Sequence, residues 1–71
     1  MKRNKLTEEL ILLSKLECQV QEQYDDQEII DSINSFKQNG LSFFLENKIY
    51  ERALYEVREL NNNLVHLVTG V

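Results

Sequence analysis

His66 and Cys18 are the only histidine and cysteine in the chain, and together they limit the chemistry it can support. A thiol or hydroxyl nucleophile needs a base within hydrogen-bond reach. Helical spacing assigns Cys18 to the first helix and His66 to the last, and no further histidine or acidic pattern links them. Glu59 and His66 stand seven residues apart, which puts both on one helix face. Two ligands make a poor metal site, so the pair reads as a solvated surface couple. The chain has no glycine-rich phosphate loop and no two histidines at ligand spacing. These residue types point away from catalysis. The expectation is a protein that is not an enzyme and uses no cofactor, metal ion or small-molecule substrate.

The elements that hold these residues are constrained by two glycines and no proline in 71 residues. The residues that most often interrupt helices occur only at Gly40 and Gly70, so nearly everything else is free to be helical. The length allows one small domain, residues 1–71, and a chain of this size buries only about 60% of the surface it exposes when unfolded. Such domains compensate with disulfides, metal or oligomerisation, and one cysteine with one histidine leaves oligomerisation. A lone cysteine also fits a reducing, cytoplasmic setting.

The opening Met1-Lys2-Arg3-Asn4-Lys5 is basic, but Glu8 and Glu9 fall where a signal peptide would turn apolar. Residues 1–6 are expected to form a flexible basic tail. No apolar run approaches the roughly 18 residues of a membrane span. A net charge of −4 has the wrong sign for general phosphate binding. A single alanine against abundant Asn, Lys, Ile and Leu resembles the translation of an AT-rich genome, such as a low-GC bacterium, phage or plasmid.

The fold class expected is all-α, a three-helix bundle. The first helix spans 7–23, with Thr7 as cap and Leu6 and Ile11 as a hydrophobic staple. Leu6, Leu10, Leu13, Leu16, Val20 and Tyr24 recur at three- and four-residue spacing and define its core face. The second spans 26–39, opening on an Asp25/Glu28 capping box with a Tyr24/Ile29 staple and carrying the stripe Ile29, Ile30, Ile33 and Phe36. Gly40 reads as a left-handed cap ending it, with Leu41 packed back on Phe36. The third spans 42–69, on a heptad seam of Phe43, Tyr50, Val57 and Leu64 with the companion series Ala53, Leu60 and Leu67. Asn61, Asn62 and Asn63 are expected off that seam, and Gly70 is expected to cap the end.

A third helix of that length would be about 40 Å long against about 20 Å for the second. The overhang predicts a two-fold homodimer whose interface is Val57, Leu60, Leu64, Val65, Leu67 and Val68. Phe44, Tyr55 and His66, eleven residues apart, form an expected aromatic column beside Lys48, a candidate partner-binding face; the competing reading makes Phe44 and Tyr55 core. Ile11 and Cys18 lie opposite the leucine stripe of the first helix and are secondary binding candidates. Glu46, a carboxylate on the seam, is expected to lean on the helix dipole and on Lys48 or Arg52.

A helix, a glycine turn and a second helix invite comparison with a helix-turn-helix. Here the turn is flanked by Phe36 where a small residue belongs and Glu46 where an apolar one belongs, and no basic side chain precedes Lys48 in the second helix. Nucleic acid is therefore not the expected partner. The functional expectation is a small acidic helical protein that works by protein–protein binding, as an adaptor, inhibitor, antitoxin-like or immunity-like regulator. The alternative is a scaffold or chaperone component of a phage or mobile element.

Overall fold

The computed structural model describes residues 4–70. The described residues form three helical rods: α1 (Lys5–Gln23); a middle rod of α2 (Gln27–Ser35), a π-helical segment (Phe36–Leu41) and α3 (Ser42–Glu46); and α4 (Tyr50–Thr69). Lys5 and Leu6 line a groove with Tyr50 and Leu54, Glu9 contacts Arg58 and Asn61, and the Tyr24 hydroxyl donates to the Leu67 carbonyl. Positions rise together along α1 and α4, so these two helices run parallel and the middle rod returns antiparallel to both.

Side-chain oxygens cap the first two rods. Asn4 Oδ1 accepts from Thr7 N at 2.8 Å, so α1 starts two residues before the expected Thr7 cap. The better cap was further upstream, and residues 4–6 of the expected tail are ordered by it; residues 1–3 lie outside the described residues. Ile11 of the expected staple is exposed. Asp26, not Asp25, caps α2 by accepting from Glu28 N at 3.0 Å. Asp25 takes φ 49° and makes the turn, a conformation that aspartate tolerates better than most residues.

Two corrections reshape the second half of the chain. Gly40 does not end a helix: it sits inside the π-helical segment, and the middle rod passes through it. A Cβ there would lie 3.3 Å from the Phe36 ring, so the glycine makes room for an aromatic side chain and does not supply a left-handed turn. The Ser42 hydroxyl donates to the Lys37 carbonyl at 2.9 Å, steadying this wider turn. The π turn rotates the residues after it, bringing Leu41 into line with Ile33, and both are buried. With no break at Gly40, the helix–glycine turn–helix arrangement does not exist.

The break lies instead at residues 47–49, inside the expected third helix. Lys48 has φ 59°, Asn47 Nδ2 donates to the Phe43 carbonyl at 2.8 Å, and Ile49 N donates to the Phe44 carbonyl at 2.8 Å. Asn47 finds a local backbone acceptor and closes α3. Glu46, the misfit on the heptad seam, marks the point where that seam stops. It is exposed at the end of α3, and Arg52 pairs with Glu56.

The core joins Leu13, Leu16 and Val20 of α1, Ile33 and Leu41 of the middle rod, and Ala53, Val57 and Leu64 of α4. Leu6, Leu10, Ile29, Ile30, Phe36, Phe44, Leu60, Leu67 and Val68 pack against it. The leucine stripe of α1 and the isoleucine stripe of α2 fall on the core side as their spacing requires, whereas Tyr24, expected on the same face, is 44% exposed beyond the end of α1. Lys37 Nζ lies 2.9 Å from Glu17 Oε1 and ties the middle rod to α1. Gly70, at φ 74°, ends α4 in the left-handed conformation.

The overhang is absent. With the break at 47–49, α4 has 20 residues against 19 in α1 and pairs with it from Tyr50 and Leu54 to Leu67. Val57 and Leu64 are buried within the protomer, and Leu60, Leu67 and Val68 pack on the same core. Of the six residues assigned to a dimer seam, Val65 alone is exposed.

Asn61 is a further correction. It is 2% exposed, and its Nδ2 donates to both the Glu9 carbonyl and Glu9 Oε1 at 2.9 Å. Asn61 lies four residues beyond Val57 and three before Leu64, which places it on the α1-facing edge of the seam.

Candidate functional site

The expected aromatic column is broken by the turn at 47–49. Phe44 belongs to α3 and packs against the core, whereas Tyr55 and His66 belong to α4 and are exposed. The two competing readings of Phe44 and Tyr55 thus divide between them. Lys48 is exposed in the turn, and Ile11 and Cys18 are exposed on α1. Cys18 and His66 remain on different helices. Among the described residues, no three His, Cys, Asp or Glu side chains are grouped to hold a metal ion.

The most exposed rings flank that turn in sequence. Phe43, Tyr50 and Tyr55 are 55%, 52% and 56% exposed, the highest values among the large apolar side chains of the described residues. Each exposure has a local cause. Phe43 stands edge-on to Phe44, with ring centroids 5.9 Å apart, so one ring takes the inner position and the other is turned out. Tyr50 opens α4, and helix side chains lean toward the N-terminus, which carries its ring past the end of the covered core. Tyr55 precedes the buried Val57 by two residues, about 200° around the helix, and so faces away from the core.

Two depressions share this surface. One, of about 300 Å³, is lined by Asn4, Lys5, Leu6, Tyr50, Glu51 and Leu54. The other, shallower, is lined by Ile49, Glu51, Arg52 and Tyr55, leaving Glu51 as the ridge between them. The Arg52 guanidinium carbon lies 5.8 Å from the Tyr55 ring centroid, while Arg52 Nη2 is 3.1 Å from Glu56 Oε1. An exposed i,i+4 ion pair adds little stability. Its effect here is to hold a cation over a tyrosine face, an arrangement worth about 0.5–1 kcal/mol at exposed sites.

Comparisons of the chain with protein-family models, curated proteins and solved structures return no match. The functional reading therefore rests on this surface. Sequence reasoning found Phe44, Lys48 and Tyr55 near it and missed Phe43, Ile49, Tyr50 and Arg52. The Arg52/Glu56 and Arg52/Tyr55 spacings were legible as helical neighbours. The exposure of Phe43 and Tyr50 was hidden, because both sat on a seam drawn through the break.

No helix among the described residues is long and apolar enough to cross a membrane.

Proposed function

We propose that this chain works by binding another protein through the surface of Phe43, Ile49, Arg52 and Tyr55, and that it does so as a homodimer. One observation carries the reading: the three most exposed aromatics among the described residues all fall in residues 43–55, a stretch that also holds the exposed Leu45 and Ile49, and Ile49, Arg52 and Tyr55 line one depression. Apolar side chains scattered singly over a surface need no explanation, whereas a contiguous group does. The Arg52–Tyr55 stack adds a pre-arranged anchor of the residue types that dominate protein interfaces.

The corresponding role is that of an adaptor or inhibitor, in which the chain delivers a surface to its target and the bundle keeps that surface in place. A photo-crosslinking side chain at Tyr55, with Gln38 on the middle rod as a control position, tests this in cells producing the protein. The expected result is one dominant heterologous adduct from position 55 and none from 38. Adducts only to further copies of the chain, or the same products from both positions, would remove the case for a target at this surface.

A further inference from the structure

Among the described residues, nothing covers the α1/α4 face on the side away from the middle rod. Lys5, Glu9 and Leu12 succeed one another at i, i+4 and i+7 along one flank of α1; Leu54, Arg58 and Val65 do so at i, i+4 and i+11 along the adjoining flank of α4. Arg58 Nε lies 3.6 Å from Glu9 Oε2, and Lys5 shares a groove with Glu51 and Leu54, so the two flanks are side by side. Leu12 and Val65 are each 38% exposed, and Leu54 is half-buried.

The charges on this face are ordered. At the first level α1 carries a cation, Lys5, beside an anion on α4, Glu51; at the next, α1 carries an anion, Glu9, beside a cation on α4, Arg58. We propose that a second copy of this chain covers this face, related by a two-fold axis parallel to the helices, with α1 of each copy lying on α4 of the other. This rests on the homodimeric part of the proposed function and gives it a surface.

Rotation about such an axis preserves height along the bundle and exchanges the two helices across the interface. Lys5 then meets Glu51 of the second copy and Glu9 meets its Arg58, so each charge faces its opposite at both levels. Leu54 lies between the two levels, and Leu12 and Val65 extend the face with apolar side chains beyond them. A two-fold axis perpendicular to the helices and centred on the face would lay α1 on α1 and α4 on α4 in opposite directions, which carries both charge levels to the far ends of the facing helices and away from each other.

Two helices about 30 Å long and about 10 Å wide present on the order of 600 Å², close to the roughly 800 Å² per partner of a standard interface. Exposed ion pairs contribute little affinity. Between two chains that each carry a net charge of −4, their alternation selects which faces and which direction can meet.

Sedimentation of the full chain tests the proposal. The unaltered protein should be dimeric at micromolar concentration. Val65→Glu and, separately, Glu51→Lys should each weaken the dimer roughly tenfold or more, with helical content and melting of the protomer retained because both side chains are exposed. Lys5→Glu combined with Glu51→Lys should restore association. An unaltered chain that stays monomeric at high micromolar concentration overturns the proposal, as does a Val65→Glu dimer of unchanged affinity. A double variant no tighter than Glu51→Lys alone overturns the parallel arrangement. Loss of the Tyr55 crosslink with the dimer intact would fault the heterologous target and leave this interface standing.

Discussion

The first two turns of α4 and the remainder of the same helix carry similar apolar content and meet opposite fates. Tyr50 and Tyr55 are exposed, whereas Val57 and Leu64 are buried with Asn61 between them. Size does not separate the two sets, since the larger side chains are the ones outside. What separates them is what lies opposite. Beyond Ala53, α4 is flanked by α1 on one side and the middle rod on the other, so a β-branched or leucine side chain fills the space. Tyr50 stands before it, where the chain has just turned at 47–49, and its ring projects past the core; Tyr55, two residues beyond Ala53, points about 200° away from Val57. Burial is thus set by what each side chain faces.

The sharpest break of that contrast is a carboxylate placed in each half. Val57→Asp puts a charge where exposure is 0% and no cation faces it, and should cost about 4 kcal/mol or more, enough to unfold a domain of this size. Tyr55→Asp, which gives up only the exposed Arg52 stack, should cost no more than about 1 kcal/mol. Urea titration of the two variants measures both. Equal losses would mean that Tyr55 is packed and that the two halves do not differ in burial.

Asn61 sharpens the comparison from within the buried half. Its Nδ2 is aimed at two oxygens of Glu9, while its Oδ1 is buried without a partner among the described residues. Asn61→Asp replaces the donor with a third acceptor and should cost about 3 kcal/mol. Asn61→Leu removes the orphaned oxygen together with the donor and should be milder, within about 1.5 kcal/mol. A melt in which the leucine variant is the worse of the two would show that this amide contributes more than the cost of its own burial.

The smallest effects concern the turn that leads into α4 and the glycine of the middle rod. Lys48 holds φ 59° without being glycine, so Lys48→Gly should stabilise by about 0.5–1 kcal/mol, a rise of a few degrees in Tm. Gly40 lies in a helical interior, where alanine is favoured by up to about 1 kcal/mol, set against the 3.3 Å approach of the half-buried Phe36 ring. Gly40→Ala should therefore change stability by less than about 1 kcal/mol. A substantial loss at position 40 with no gain at 48 would put the turn back at the glycine.

The core stripes of α1 and α2 were legible because they depend only on spacing: leucines and isoleucines three and four apart occupy one face of any α-helix. The seam through Val57 and Leu64 was legible for the same reason. The turn was not, because glycine is the strongest local signal for a left-handed residue, and here the packing of Phe36 used it differently. Asn47-Lys48 carried a weaker signal that a continuous heptad reading overrode.

By itself, the sequence determined that the chain is helical and that its leucine and isoleucine faces turn inward. Those conclusions need only local periodicity and residue chemistry. Tertiary structure alone decided where the middle rod ends, that α4 matches α1 in length, that Asn61 is inside and that Tyr50 and Tyr55 are outside. Each depends on which helix lies opposite a given turn, and that is set by contacts between residues as far apart as Glu9 and Asn61.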